Sequence, residues 1–104
     1  MPNRADTARE QEILEKALRL LIKELTPKRV YLFGSRAKNK ALTNSDFDFA
    51  LDCEPPDMAT RRVMKEKLED IAGLYTVDVV FLSEVEPGFR DLVVQTGKVL
   101  YEQK

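Results

Sequence analysis

From Asp46 to Leu51 the chain alternates strictly between two kinds of residue. Asp46, Asp48 and Ala50 fall on one side of the alternation, and Phe47, Phe49 and Leu51 on the other. A β-strand sends successive side chains to opposite faces, so this pattern predicts a strand with one apolar face and demands a sheet to hold it. Val30 to Phe33 reads as a buried strand, rich in aromatic and branched residues. Thr76 to Leu82 is a third strand, apolar except for Asp78, and Val99-Leu100-Tyr101 a small closing one.

Helical periodicity fills the spaces between. Ile13, Leu14, Ala17, Leu18, Leu21 and Leu25 make one apolar stripe on a helix expected over about Asp6 to Leu25. Thr7-Ala8-Arg9-Glu10 has the form of a capping box at its start, and Pro27 stops it. After Glu54-Pro55-Pro56-Asp57, a second helix is expected from about Asp57 to Ala72. Val63, Met64, Leu68, Ile71 and Ala72 would point inward, with Gly73 as C-terminal cap. Pro87 opens a short third helix carrying Phe89, Leu92 and Val93, and Gly97 follows it. Arg36 to Ser45 is polar with little periodicity, read as a helical turn and then a loop. The fold class is α/β: a small mixed sheet flanked by helices, in the order helix, strand, strand, helix, strand, helix, strand. The 104 residues show no internal repeat or low-complexity linker, so one domain over 1–104 is expected.

Composition narrows the function. The 17 Lys and Arg nearly balance 18 Asp and Glu, leaving a net charge of -1, so no direct hold on nucleic acid by bulk charge is expected. The longest apolar runs are four residues, too short for a membrane span. Met1 to Gln11 is charged and lacks an apolar signal segment, which points to the cytoplasm. The single cysteine, Cys53, excludes an internal disulfide framework and a multi-cysteine zinc site, and reads as a small buried residue. With no histidine, Ser-His and Cys-His mechanisms are out. Chemistry falls to carboxylates, hydroxyls, amines or a bound metal.

Three acids stand in strands. Asp46 and Asp48 project from one face, roughly 7 Å apart at their α-carbons. Asp78 interrupts Val77-Asp78-Val79-Val80 and would join them if the two strands were neighbours, about 4.8 Å apart. Three facing carboxylates cannot all stay ionised without a compensating cation, and carboxylate oxygens suit magnesium. The plainer reading is a wet strand face and a turn-capping acid. Upstream, Val30 to Phe33 runs into Gly34-Ser35, where backbone N–H groups and a hydroxyl can cradle phosphate. Arg36 is placed either to fork onto phosphate oxygens or to sit in solvent. Neither Gly-x-x-x-x-Gly-Lys nor Gly-x-Gly-x-x-Gly occurs.

Phe33-Gly34-Ser35-Arg36-Ala37, then Ser45-Asp46-Phe47-Asp48, then Asp78 among valines resembles the polymerase-beta-like nucleotidyltransferase superfamily. Within it, the form is similar to minimal nucleotidyltransferase (MNT) domains, the antitoxin halves of pairs whose toxin is a HEPN-domain ribonuclease. The resemblance runs over nearly the whole chain, from the leading helix to Gly97-Lys98-Val99-Leu100-Tyr101. It implies that Gly34 and Ser35 hold the triphosphate of ATP, and that Asp46 and Asp48 bind two magnesium ions. Asp78 would complete the catalytic metal site, and Ser45 would orient the nucleotide or cap the loop. The implied activity is transfer of AMP from ATP to a tyrosine of a cognate HEPN toxin, which inactivates it. The motif and its supports use nearly all 104 residues, so the acceptor is expected from a partner molecule, with a second copy of this chain left open. Two other readings stand beside this one. One is an antitoxin that neutralises by docking alone, and the other a homodimeric transferase for a small-molecule or RNA acceptor. Lys38, Lys40, Arg61, Arg62 and the run Lys65-Glu66-Lys67 read as surface charge, and Tyr31, Tyr75 and Tyr101 as core or rim aromatics.

Overall fold

A computed structural model describes residues 4–33 and 47–103. Seven elements follow in order: α1 (Arg4–Leu25), β1 (Arg29–Phe33), β2 (Phe47–Asp52), α2 (Met58–Ala72), β3 (Val77–Phe81), α3 (Pro87–Thr96) and β4 (Lys98–Glu102). The strands lie in the order β3-β2-β1-β4. β1 is antiparallel to both β2 and β4, while β2 and β3 are parallel. A parallel pair cannot be joined by a tight turn, and α2 is the crossover that joins this one. The mixed sheet and its helices agree with the expected class.

Strand alternation divides the sheet into two faces. Val30, Leu32, Phe47, Phe49, Leu51, Val77 and Phe81 meet Ile13, Ala17 and Leu21 of α1 and Met64, Leu68 and Ala72 of α2 in the main core. On the other face Tyr31, Ala50 and Leu82 pack with Val93 of α3, and Phe33, Val80 and Val85 are partly buried against them.

Local chemistry fixes the helix ends. Asp57 accepts a hydrogen bond from the Thr60 N–H at 2.8 Å and caps α2. Gly73 closes it at φ 64, a conformation that favours glycine. The start of α1 differs from expectation. The helix already covers Arg4, so Thr7 lies within it and the Thr7–Glu10 box is no cap. Nothing in Arg4-Ala5-Asp6 breaks a helix, and the chain carries on through it. Arg9 and Glu10 instead tie α1 to the end of α2: Arg9 Nη2 donates to the Ile71 carbonyl at 2.9 Å, and Tyr75 Oη donates to Glu10 Oε1 at 3.4 Å.

Two other expectations need correcting, those for Val63 and Arg61. Val63 is 48% exposed, because Met64, Leu68 and Ala72, spaced by four, define the inner line of α2 and Val63 falls beside it. On α3 only Val93 is buried, while Leu92 is 55% exposed, because so short a helix meets the sheet along a single line. Arg61 is not a solvated charge. It donates through Nη1 and Nη2 to Glu84 at 2.9 and 2.6 Å and through Nε to the Pro56 carbonyl, and lies 4.8 Å over the Phe81 ring. Cys53 is half-buried, and burial, helped by neighbouring Asp52, pushes its thiol pKa up.

Candidate functional site

β2 carries Asp48 between Phe47 and Phe49, both in the main core, so Asp48 is forced onto the opposite face. β3 repeats the arrangement, with Asp78 between Val77 and Val79. The parallel register sets Asp48 directly beside Asp78. Adjacent strands are about 4.8 Å apart, so both carboxylates can reach a shared cation. On the other side, the antiparallel register sets Phe33 opposite Asp48. Phe33, Asp48 and Asp78 thus form a row across three strands, at the end of β1 where the chain leaves the sheet toward Gly34.

Among the described residues, cover over this row is thin. Val93 of α3 packs farther along, on Tyr31 and Ala50. Asp48 is half-buried and Asp78 exposed, so both stay within reach of solvent and ligand. Phe89 is 37% exposed and meets Phe33 edge-on, with centroids 5.6 Å apart and planes at 87°. Its place beside the acids escaped the sequence pattern, which marks an apolar residue on α3 without saying which strand end it meets. The same holds for Arg61, whose tie to Glu84 joins residues 23 apart.

Of the site residues expected from sequence, the structure brings Asp48 and Asp78 together. Gly34, Ser35, Arg36, Ser45 and Asp46 lie outside the described residues, as do Lys38 and Lys40. Among the described residues no group of three or more His, Cys, Asp or Glu side chains could hold a metal ion. The Asp48–Asp78 pair fits a hard divalent cation by donor type, since both ligands are carboxylates on an open face. Among the described residues, no helix is long and apolar enough to cross a membrane.

The described part of the candidate site is thus two acids in register on adjacent parallel strands of a mixed sheet, one strand over from the end of β1 at Phe33. Residues 15–104 match the model of the family "Polymerase beta, Nucleotidyltransferase", and the chain belongs to that family. Protein adenylyltransferase MntA of Aphanizomenon flos-aquae is 34% identical over 102 residues, which span 88% of this chain and 68% of that protein. A solved toxin–antitoxin structure with AMP-PNP has a chain that is 30% identical, with a TM-score of 0.68, covering 86% of this chain and 74% of that one. In the solved complex of tri-AMPylated Shewanella oneidensis HEPN toxin with MNT antitoxin, the matching chain is 26% identical, with a TM-score of 0.67. That match covers 91% of this chain and 73% of the other.

Proposed function

We propose that this chain is a protein adenylyltransferase that acts as an antitoxin, moving AMP from ATP onto a tyrosine of a HEPN ribonuclease toxin and silencing it. The observation that carries the proposal is the in-register Asp48–Asp78 pair on the open face of the sheet. The adenylyltransferase name of the Aphanizomenon relative and the AMPylated toxin in the Shewanella complex support the same reading. The AMP-PNP complex supports ATP as donor.

In the reaction, the tyrosine oxygen attacks the α-phosphorus of ATP, a new P–O bond forms, and pyrophosphate leaves with the electrons of the α–β bridge. Gly34 and Ser35 hold the triphosphate through backbone N–H groups and the serine hydroxyl, with Arg36 and Ser45 orienting it. Asp46, Asp48 and Asp78 are the ligands for magnesium, two ions in this reading. Magnesium held there would supply Lewis acidity, making the attacking hydroxyl more acidic and offsetting charge on the departing pyrophosphate. Asp78, the outermost acid of the row, accepts the tyrosine proton. We assign this to a single domain over residues 1–104, working in the cytoplasm in a hetero-oligomer with its toxin.

The test is an incubation of the chain with ATP, magnesium and the HEPN protein encoded beside it, followed by intact mass measurement of that protein. The expected result is a gain of one or more adenylyl groups together with loss of ribonuclease activity. Neutralisation with no change of mass would instead leave a partner that works by docking.

A further inference from the structure

α3 lies on the acid-bearing face of the sheet and has two unlike flanks. On the far flank, Arg90 and Val94 line a cavity with Arg29, Tyr31 and Asp52. Arg29 and Asp52 pair at the end of the sheet away from Asp48. On the near flank Phe89 meets Phe33, which stands in the row of the acids. Leu92, one turn on from Phe89, is its neighbour on the helix surface and is 55% exposed. Exposed apolar side chains are ordinary by themselves, so the weight of these two lies in where they stand.

The direction of the reaction decides what reaches the near flank, and here the inference rests on the transferase reading above. In a displacement at phosphorus, the attacking oxygen, the phosphorus and the leaving oxygen stand roughly in line. The acceptor enters at Asp78, and pyrophosphate leaves toward Gly34-Ser35, which follows Phe33 directly in the chain. The line therefore runs along the row, across the strands from Asp78 past Asp48 to Phe33. The nucleoside hangs from a third oxygen of the same phosphorus, so it leaves this line sideways. Along the strands toward Ala50 and Tyr31, the next described element is α3. Its near flank, Phe89 with Leu92, is the apolar surface that a base leaving in that direction meets first.

The ring of Phe89 is suited to receive it. An edge-on contact lets Phe33 cover at most one face of that ring, and at 37% exposure the rest of the protein does not seal the remainder. Because Phe33 already props the ring, little freedom is lost when a ligand settles on it. We propose that Phe89 is the stacking platform for the purine ring of the bound nucleotide, with Leu92 along the edge of the base and Phe33 fixing the ring of Phe89. Every base has a π face, so a bare platform accepts any of them, but the larger purine makes the larger contact. The platform therefore favours ATP over UTP.

Equilibrium binding of AMP-PNP and of inorganic tripolyphosphate to the full chain with magnesium separates base from phosphate. Phe89→Leu keeps an apolar side chain against Phe33. It should weaken AMP-PNP roughly tenfold and leave tripolyphosphate unchanged. The chain has no tryptophan, so Phe89→Trp puts a single reporter in the platform. Its emission should be quenched by AMP-PNP and not by tripolyphosphate, while Val94→Trp, on the far flank, should respond to neither. Unchanged AMP-PNP affinity in Phe89→Leu, an equal loss for both ligands, or equal quenching in the two tryptophan variants would overturn the inference. A chain that adenylylates its partner normally, with the KM for ATP unaltered by Phe89→Leu, loses the platform and keeps the transferase. Base-dependent quenching in Phe89→Trp without any transfer to the partner keeps the platform and removes the transferase.

Discussion

The sheet presents two faces built from the same strands, and they differ in cover. On one, α1 and α2 seal Phe47, Phe49, Leu51, Val77 and Phe81 away from water. On the other, α3 contributes a single buried side chain, Val93, and among the described residues the row Phe33, Asp48, Asp78 is little covered. Carboxylates placed beneath α1 and α2 would lose their hydration and be driven toward the protonated form, useless for binding a cation. The thick face therefore supplies stability, and the thin face leaves the acids reachable.

The largest expected effect comes from breaking the thick face. Phe49, next to Asp48 on β2 and turned to the other face, is fully buried, and Phe49→Ala should cost about 3–5 kcal/mol. That is a large part of the roughly 5–15 kcal/mol typical of a whole domain. Urea unfolding followed by circular dichroism measures it, and a loss under about 1 kcal/mol would mean that this face is not the main support.

One residue earlier, Asp48→Asn should do the converse. Removing a carboxylate assigned to hold magnesium, and with it the charge that offsets the transferring phosphate, should lower adenylyl transfer roughly 10²–10³-fold. The thermal midpoint should stay close to that of the parent, because the side chain lies on the open face. Normal turnover in this variant would remove Asp48 from the reaction. A collapse of the midpoint would show that the thin face, too, holds the fold together.

How far the sequence shows all this follows from the range of each signal. Strands and helices were legible because alternation and four-residue spacing are local: Phe47-Asp48-Phe49 announces its own two faces, and Met64, Leu68 and Ala72 their own inner line. That Asp48 and Asp78 share a row was legible only as a condition on β2 and β3 being neighbours, which the parallel pairing across α2 fulfils. Contacts set by tertiary docking were not legible. The partner of Phe89 is unknown until α3 is placed against Phe33, and Arg61 reads as surface charge until the β3–α3 turn brings Glu84 to it. The Thr7 box misled because a capping pattern carries no information about whether the helix continues upstream.

A smaller effect is expected where the thin face is anchored. A Cβ on Gly97 would lie 2.5 Å from the Val93 carbonyl oxygen and 3.4 Å from that of Leu32, both backbone atoms with little freedom to yield. Gly97→Ala should therefore push α3 from the sheet and cost about 1–3 kcal/mol, in the range of overpacked sites. Because α3 also carries Phe89 against Phe33, transfer should fall with it, a coupling that Phe49→Ala, which acts through global unfolding, would not show below its melting range. Activity measured well below the midpoint separates the two.

The smallest effect lies at the solvent end of the thick face. The Asp57 carboxylate accepts from the Thr60 hydroxyl and from its N–H, and these hydrogen bonds hold its pKa below the ordinary 3.8. A lowered folded-state pKa means stability that is present above the unfolded value and lost as pH falls through the folded one. Asp57→Ala should thus melt a few degrees below the parent at neutral pH, and the gap should close as pH falls below 3.8. Transfer measured at neutral pH and room temperature should be unchanged, because the cap belongs to α2 and the acids face α3. A pH-independent gap would mean that the loss comes from packing at the start of α2. A fall in transfer would mean that the two faces are coupled through the crossover helix and that their separation is only geometric.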